Sequence, residues 1–248
     1  MKIIIAPAKK MTENNDDFSF RQLPLFLEQA EELQEWLRSM SFVQRRMLWS
    51  CSEKIARESS ELLENDLRER LSPAIVSYTG IQYKTMSPSV FTDEELEYVE
   101  NNLLILSGFY GLLRPFDGIR AYRLEMQTKG SPRGGDLYGF WGDKICRELQ
   151  KETETIINLA SAEYSKAVER YLRPEDRFLT FVFAEKEKGR LLTKGVYAKM
   201  ARGDMVRYMA ENRIEDPGDC KAYNRMGYRF DPEASDGTNW VFVRERPE

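Results

Sequence analysis

The sequence predicts an α/β or α+β protein: a single compact mixed-sheet domain spanning 1–248, with flanking helices and a helical insertion near the N-terminus. Three observations lead there. Short apolar runs of strand length ("KIIIA", "LLILS", "TIINLAS", "RFLTFVFAEK") recur between blocks of helical periodicity. From Pro24 to about Arg70 the apolar residues follow helical intervals only. No repeat, low-complexity tract or Pro/Gly/Ser linker divides the 248 residues, 42% of which are hydrophobic, enough to bury one large core.

Taken in order, "KIIIA" is a buried first strand stopped by Pro7, and the loop after it carries Lys9 and Lys10. The helical subregion at about 24–70 holds two or three helices, with Leu33, Trp36 and Leu37, then Met47, Leu48, Ile55 and Leu62 at helix-like spacing. "AIVSY" and "LLILS" are expected strands. The helix between them starts near Thr92, where Asp93, Glu94 and Glu95 suit the positive end of its dipole. "DLYGFWGDKICRELQ" passes from glycine-interrupted aromatics into a helix, and "TIINLAS" is a strand that delivers Ser161 to the next helix. "RFLTFVFAEK" is a strand, and "VYAKMARGDMVRYMAENRI" an amphipathic helix with Ala201, Met205, Tyr208 and Met209 on one face. "GYRFD" and "NWVFVRE" form a closing hairpin.

Composition removes several chemistries. There is no histidine, which excludes Ser-His-Asp and Cys-His nucleophile systems, HExxH zinc sites and histidine-ligated iron. Proton transfer would fall to Asp, Glu, Lys, Tyr, Cys or water. Cys51, Cys146 and Cys220 form no CxxC pair and are expected as reduced, structural thiols. No ExxE-type array suggests a metal, and no cofactor is implied. The opening residues carry too short an apolar run for a signal peptide, and no stretch nears the ~18 apolar residues of a membrane span. A cytoplasmic protein without a membrane partner is therefore expected.

The formal net charge of −4 argues against a protein that coats nucleic acid through its overall field. The positive charge is nonetheless local. Between Arg114 and Arg133 five basic residues face Asp117 and Glu125, and between Lys186 and Arg207 seven face Glu187 and Asp204. With Lys9 these blocks would make one basic groove, although Lys186 to Lys194 reads as ordinary solvated surface.

The stretch "SGFYGLLRPFDGIRAYRLEM" concentrates the chemistry. Its arginines Arg114, Arg120 and Arg123 keep their charge at every pH and need water, carboxylate or a bound anion. Strand alternation in "IRAYRLEM" would put Arg120 and Tyr122 on one face and Arg123 and Glu125 on the other. A purely structural reading pairs Arg123 with Glu125 and buries Tyr122. Gly108 and Gly111 permit close backbone approaches. Ser161, opening a helix, is either an N-cap or part of an anion site at free backbone N–H groups. Lys199 and Arg202 share a helix face and would suit phosphate oxygens. Tyr138, Phe140 and Trp141 are core aromatics or stacking surfaces.

Together "IAPAK", "SGFYGLLRPFDGIRAYRLEM", "DLYGFWGD", "INLASAEYSKAV" and "YAKMARGDMVRYMAENR" resemble, in that order, the blocks of the YaaA family of bacterial peroxide stress proteins. The resemblance spans nearly the whole chain. It implies a cytosolic protein that helps limit free iron and DNA damage under hydrogen peroxide stress, with DNA binding as its molecular activity. It also implies a cleft containing Lys9, Arg114, Tyr122, Arg123, Glu125, Trp141, Asp143, Ser161, Glu163, Tyr164, Lys166, Lys199 and Arg202. A helix-hairpin-helix DNA contact would correspond to the helices from Ser41 to about Arg70. That stretch has no glycine for the hairpin turn, which favours the basic groove as the place for nucleic acid.

Two functions follow as expectations. In the first, DNA phosphates meet Lys9, Arg114, Arg123, Ser161, Lys166, Lys199 and Arg202, with Tyr122, Trp141 and Tyr164 as stacking or pocket walls. In the second, the protein is an enzyme on a nucleotide or other phosphorylated small molecule, with Glu125, Asp143 or Glu163 as acid, base or nucleophile.

Overall fold

The computed structural model describes residues 1–13 and 18–245. Its first strand, β1 (Lys2–Ile5), is followed by three helices, α1 (Leu27–Arg38), α2 (Phe42–Trp49) and α3 (Glu53–Glu61). Then come a two-residue strand β2 (Ser72–Pro73), α4 (Ala74–Ser77), α5 (Ile81–Met86) and α6 (Asp93–Asn102), which leads directly into β3 (Leu103–Ser107). β4 (Gly111–Leu113), β5 (Gly118–Ile119), α7 (Leu137–Trp141) and α8 (Lys144–Glu152) precede β6 (Thr155–Leu159) and α9 (Ala162–Glu169). The chain closes with β7 (Arg177–Glu187), β8 (Arg190–Leu192), α10 (Gly195–Glu211), β9 (Arg229–Asp231) and β10 (Asn239–Glu245).

The main sheet runs β4-β3-β1-β6-β7-β10-β9, with β8 added to the end of β7. β3, β1, β6, β7 and β10 are parallel, whereas β4, β8 and β9 are antiparallel to their neighbours. β1 is an interior strand, between β3 and β6, with Ile3, Ile4 and Ile5 fully buried. A strand covered on both faces has no need of polar alternation, and its unbroken apolar run reflects that. Thr92 caps α6 as expected, accepting from the Glu95 N–H while the Glu95 carboxylate accepts from the Thr92 N–H.

The path of the chain fixes where a crevice opens. From β1 the chain returns to the sheet on one side, at β3, and from β6 it returns on the other, at β7. Connections that leave neighbouring parallel strands in opposite directions part at the strands' carboxyl ends, and ligand sites of open α/β sheets collect there. The carboxyl ends of β1 and β6 are adjacent, with Ile5 beside Leu159.

Two expected strands are corrected. "AIVSY" turns into the short helix α4 because the backbone N–H groups of Ala74 and Ile75 donate to the carbonyls of Asp117 and Pro115, at 2.9 Å each. With those donors taken by a loop, no ladder remains for the segment to join. "IRAYRLEM" belongs to a strand only at Ile119; from Arg120 to Glu125 it is irregular. The alternation expected there fails accordingly. Arg120 turns to Glu13, 3.0 Å away, and to the carbonyls of Glu69 and Arg70, whereas Tyr122 joins a cluster of buried tyrosines. The turn between α2 and α3 forms without glycine by placing Ser50 in the left-handed region at φ 45°.

Candidate anion-binding cavity

A cavity of about 340 Å³ opens at the carboxyl ends of β1 and β6. The loop after β1 supplies Ala6 to Lys10, the start of α5 supplies Gly80 to Tyr83, and the irregular segment after β5 supplies Tyr122 to Glu125. The start of α9 contributes Ser161, Glu163 and Tyr164, and α10 contributes Lys199 and Arg202. Five separate stretches of chain thus converge on one space.

Close backbone packing sets these walls. A β-carbon on Gly108 would stand 2.7 Å from the Leu124 carbonyl oxygen and 2.9 Å from the Met126 nitrogen. Only glycine there lets the segment carrying Arg123 and Glu125 lie against the end of β3. Gly80 meets Ala8 in the same way, a β-carbon on it falling 2.6 Å from the Ala8 Cβ. Beneath the cavity the Tyr122 hydroxyl bonds to Ser107 at 2.7 Å and to Tyr78 at 2.9 Å, and the Tyr83 hydroxyl donates to the Ala6 carbonyl at 3.0 Å. Burial pushes the Tyr122 phenol up to about 12, so it stays protonated.

The charged groups divide into a paired set and an unpaired set. Glu125 Oε2 lies 2.7 Å from Lys9 Nζ, and its Oε1 lies 3.4 Å from Arg123 Nη2. Glu163 accepts from the Gln127 N–H at 3.3 Å. Burial raises the Glu163 pKa, the nearby Glu125 charge adds to the rise, and the Gln127 N–H and Lys9 oppose it. Lys199 and Arg202 lie one helical turn apart on the cavity side of α10 and have no carboxylate partner among the described residues. Burial alone pulls the Arg202 guanidinium below its usual range, and its Nε has no hydrogen-bond partner among the described residues.

Nine residues expected at the site do line this cavity: Lys9, Tyr122, Arg123, Glu125, Ser161, Glu163, Tyr164, Lys199 and Arg202. Ser161 occupies the N-cap position of α9, yet its side chain makes no capping bond. Four others lie elsewhere and are corrected here. Arg114 follows β4 toward the opposite end of the sheet and pairs with Glu152, which also holds Lys2. Trp141 is fully buried, donates to the Gly108 carbonyl at 3.0 Å and packs against Phe26, so it is core and offers no stacking face. Asp143 lies 2.7 Å from Arg147 at the start of α8, and Lys166 sits over the Tyr138 ring on α9. These four side chains lie outside the cavity, although the motifs of Arg114 and Lys166 supply other residues to it.

Sequence reasoning missed Gly80, Gln82 and Tyr83. Their signal was the glycine of "TGIQYK" standing before a short helix, and none of the three carries a charge to draw notice. The basic hairpin is surface, as expected: β8 is exposed and Lys194 pairs with Glu185 and Glu187. Burial pushes the Cys146 and Cys220 thiols up to about 11 and about 12, consistent with structural roles. Among the described residues no helix is long and apolar enough to cross a membrane, and no three His, Cys, Asp or Glu side chains are grouped to hold a metal ion.

Comparison with known proteins agrees with the motif blocks. A family model described as "Peroxide stress protein YaaA" matches residues 1–234. The chain is similar to UPF0246 proteins of Desulfitobacterium hafniense, 49% identical with all of both chains covered, and of Agathobacter rectalis, 47% identical with 99% of each covered. A UPF0246 protein of Ligilactobacillus salivarius is 45% identical over 98% of this chain and all of its own. With a family model matching almost throughout and relatives aligned end to end, the chain belongs to the YaaA family of peroxide stress proteins.

Proposed function

We propose that the protein serves the response to peroxide stress by binding DNA through this cavity, with Lys199 and Arg202 on phosphate oxygens. The observation that carries the reading is the unpartnered pair on α10. A partly buried guanidinium without a counter-charge is costly unless an anion completes it, and a second cation one turn away suits a phosphate with several oxygens. Lys9 and Arg123, both paired with Glu125, would hold the mouth in shape. The resemblance supplies the wider role of protecting DNA and limiting free iron. The effect on iron is then indirect, through the bound partner.

Anisotropy titrations of labelled DNA across a range of salt concentrations test this. Affinity should fall steeply with salt and vary little with sequence. Lys199→Ala with Arg202→Ala should weaken binding at least about tenfold and reduce the log-log salt slope by about 2. Unchanged binding by that variant would rule out this location.

A second reading, an enzyme acting on a nucleotide, is favoured by the two carboxylates. Glu125 is anchored between two cations, whereas burial favours the protonated form of Glu163. Unlike environments for two acids in one cavity are how acid and base roles become separated. A screen of nucleotides for thermal stabilisation, followed by turnover with Glu125→Gln, tests it. No stabilisation by any phosphate compound would remove this reading.

A further inference from the structure

The hairpin of β7 and β8 takes no part in the cavity, yet it stands over the same end of the sheet. β6 pairs with β7 from Arg177 to Thr180, β10 occupies the other side of β7 as far as Lys186, and β8 pairs with Glu185 to Glu187. β8 therefore lies on the β6 side, in line with β6 and beyond its carboxyl end, where the cavity opens. The five residues from Thr180 to Glu185 carry it about 17 Å past the last β6 pairing.

This arm has a fixed base and a free tip. At the base Glu185 is 2% exposed and lies 2.8 Å from Lys194 Nζ and 3.1 Å from Arg244 Nε. The Arg244 guanidinium in turn lies 3.9 Å from the centre of the Tyr197 ring, which ties the arm to the start of α10. At the tip Lys188 and Gly189 both have positive φ, as a type I′ turn requires, and a β-carbon on Gly189 would meet nothing within 4 Å. Lys186, Lys188 and Arg190 are exposed and have no ion pair among the described residues, and Leu191 and Leu192 beside them are also exposed. In a chain of net charge −4, three unpartnered cations grouped on a projecting ribbon reverse the field locally.

We propose that this hairpin is a second contact for DNA held at the cavity, an arm whose Lys186, Lys188 and Arg190 take backbone phosphates several nucleotides away from the one on Lys199 and Arg202. The inference rests on the DNA reading above and adds a separate surface to it. Only Thr193 and Lys194 separate β8 from α10, so one continuous segment supplies both the arm and the two cavity cations. Phosphates recur every ~3.4 Å along one strand, so about 17 Å corresponds to roughly five nucleotides. The leucines suit the apolar carbons of the sugars between those phosphates. Arm and cavity together fit a polymer, whereas a single nucleotide reaches only the cavity.

Two probes of the full chain test it: anisotropy with a labelled duplex of about 24 base pairs, long enough to span both contacts, and calorimetry with the 5′-phosphorylated thymidine dinucleotide. Lys186→Ala, Lys188→Ala and Arg190→Ala together should weaken the duplex at least about tenfold and lower the log-log salt slope by about 2 to 3. The dinucleotide cannot reach the arm and should bind that variant as it binds the native protein. Lys199→Ala with Arg202→Ala should weaken both probes. A control on α8, Lys144→Ala with Arg147→Ala and Lys151→Ala, removes the same charge toward the opposite end of the sheet, where Glu152 holds Lys2, and should leave both nearly unchanged. Native duplex affinity in the arm variant would overturn the proposal. So would an equal loss in the α8 control, which would make the effect one of overall charge, or an equal loss on the dinucleotide, which would make the arm a wall of the cavity. Native protein that binds the dinucleotide but no duplex would remove the arm's partner and leave the anion site standing. Binding of neither probe would remove the anion site and the arm's role with it.

Discussion

Gly203 and Gln82 make the tightest glycine contact in the molecule that backbone geometry alone decides: a β-carbon on Gly203 would lie 2.0 Å from the Gln82 carbonyl oxygen, closer than any real contact allows. Neither partner can yield by turning a side chain. Gly203→Ala must push α10 away from α5 and should lower stability by about 1–3 kcal/mol, a fall of roughly 2–4 °C in Tm for each kcal/mol in a chain of this size. Thermal denaturation followed by circular dichroism checks this. Gly195→Ala, at the start of the same helix with open space around it, should leave Tm unchanged or slightly raised.

Gly108 should report on the site as well as on the fold. Alanine there would press on the Leu124 carbonyl and move Glu125 relative to Lys9 and Arg123. The expected outcome is both a lower Tm and weaker DNA binding, measured by anisotropy on protein shown to be folded. Weaker stability with undiminished binding would mean that the segment around Glu125 takes no part in holding the ligand.

Glu125 separates the two readings of function. As a charge it pairs with both Lys9 and Arg123, so Glu125→Gln removes one negative charge and leaves both cations without that partner. If the protein only holds phosphate, the variant should bind DNA more tightly and with a steeper salt dependence. If Glu125 performs chemistry, turnover of the substrate nucleotide should fall by about 10²–10⁴-fold whatever happens to affinity. Weaker binding together with no turnover in either protein would speak against both.

Asp117 supplies a pH dependence away from the cavity. It is 1% exposed, and burial lifts its carboxyl from 3.8 to about 6 despite hydrogen bonds from the Arg114 N–H and the Gln22 side chain. Between these values the folded protein holds a proton that the unfolded chain releases. This contribution to stability is complete below about 4 and is lost as pH rises through about 6. It amounts to about 3 kcal/mol at most. The difference in Tm between native protein and Asp117→Asn should therefore shift against the native protein from pH 4 to 6 and stay level above. A flat difference across that range would place the Asp117 carboxyl near its ordinary value.

Much of the fold was legible because long apolar runs and strong caps leave few alternatives. The triple isoleucine of β1, the capping box at Thr92 and the periodicity of α10 each point one way. The irregular stretch from Arg120 to Glu125 was not legible, since a β-rich composition predicts extended backbone but cannot say whether a neighbouring strand is there to pair with it. The site was partly legible through its charges. Lys199 and Arg202 declared themselves by helical spacing, and Gly108 by flanking, with Gly111, the aromatic pair Phe109 and Tyr110. Arg114 misled for the same reason: a conspicuous cation in a rich motif is indistinguishable in sequence from one paired with a distant Glu152. Gln82 stayed hidden because it reaches the cavity wall through the packing of α5 against α10, which only the folded chain defines.

The walls of the cavity come from stretches as distant along the chain as Lys9 and Arg202. A polypeptide still emerging from the ribosome can form the first strand and its loop early, but it stays blind to its ligand until α10 has cleared the exit tunnel and docked. Copies clipped ahead of that helix lack Lys199 and Arg202 and with them one wall of the cavity.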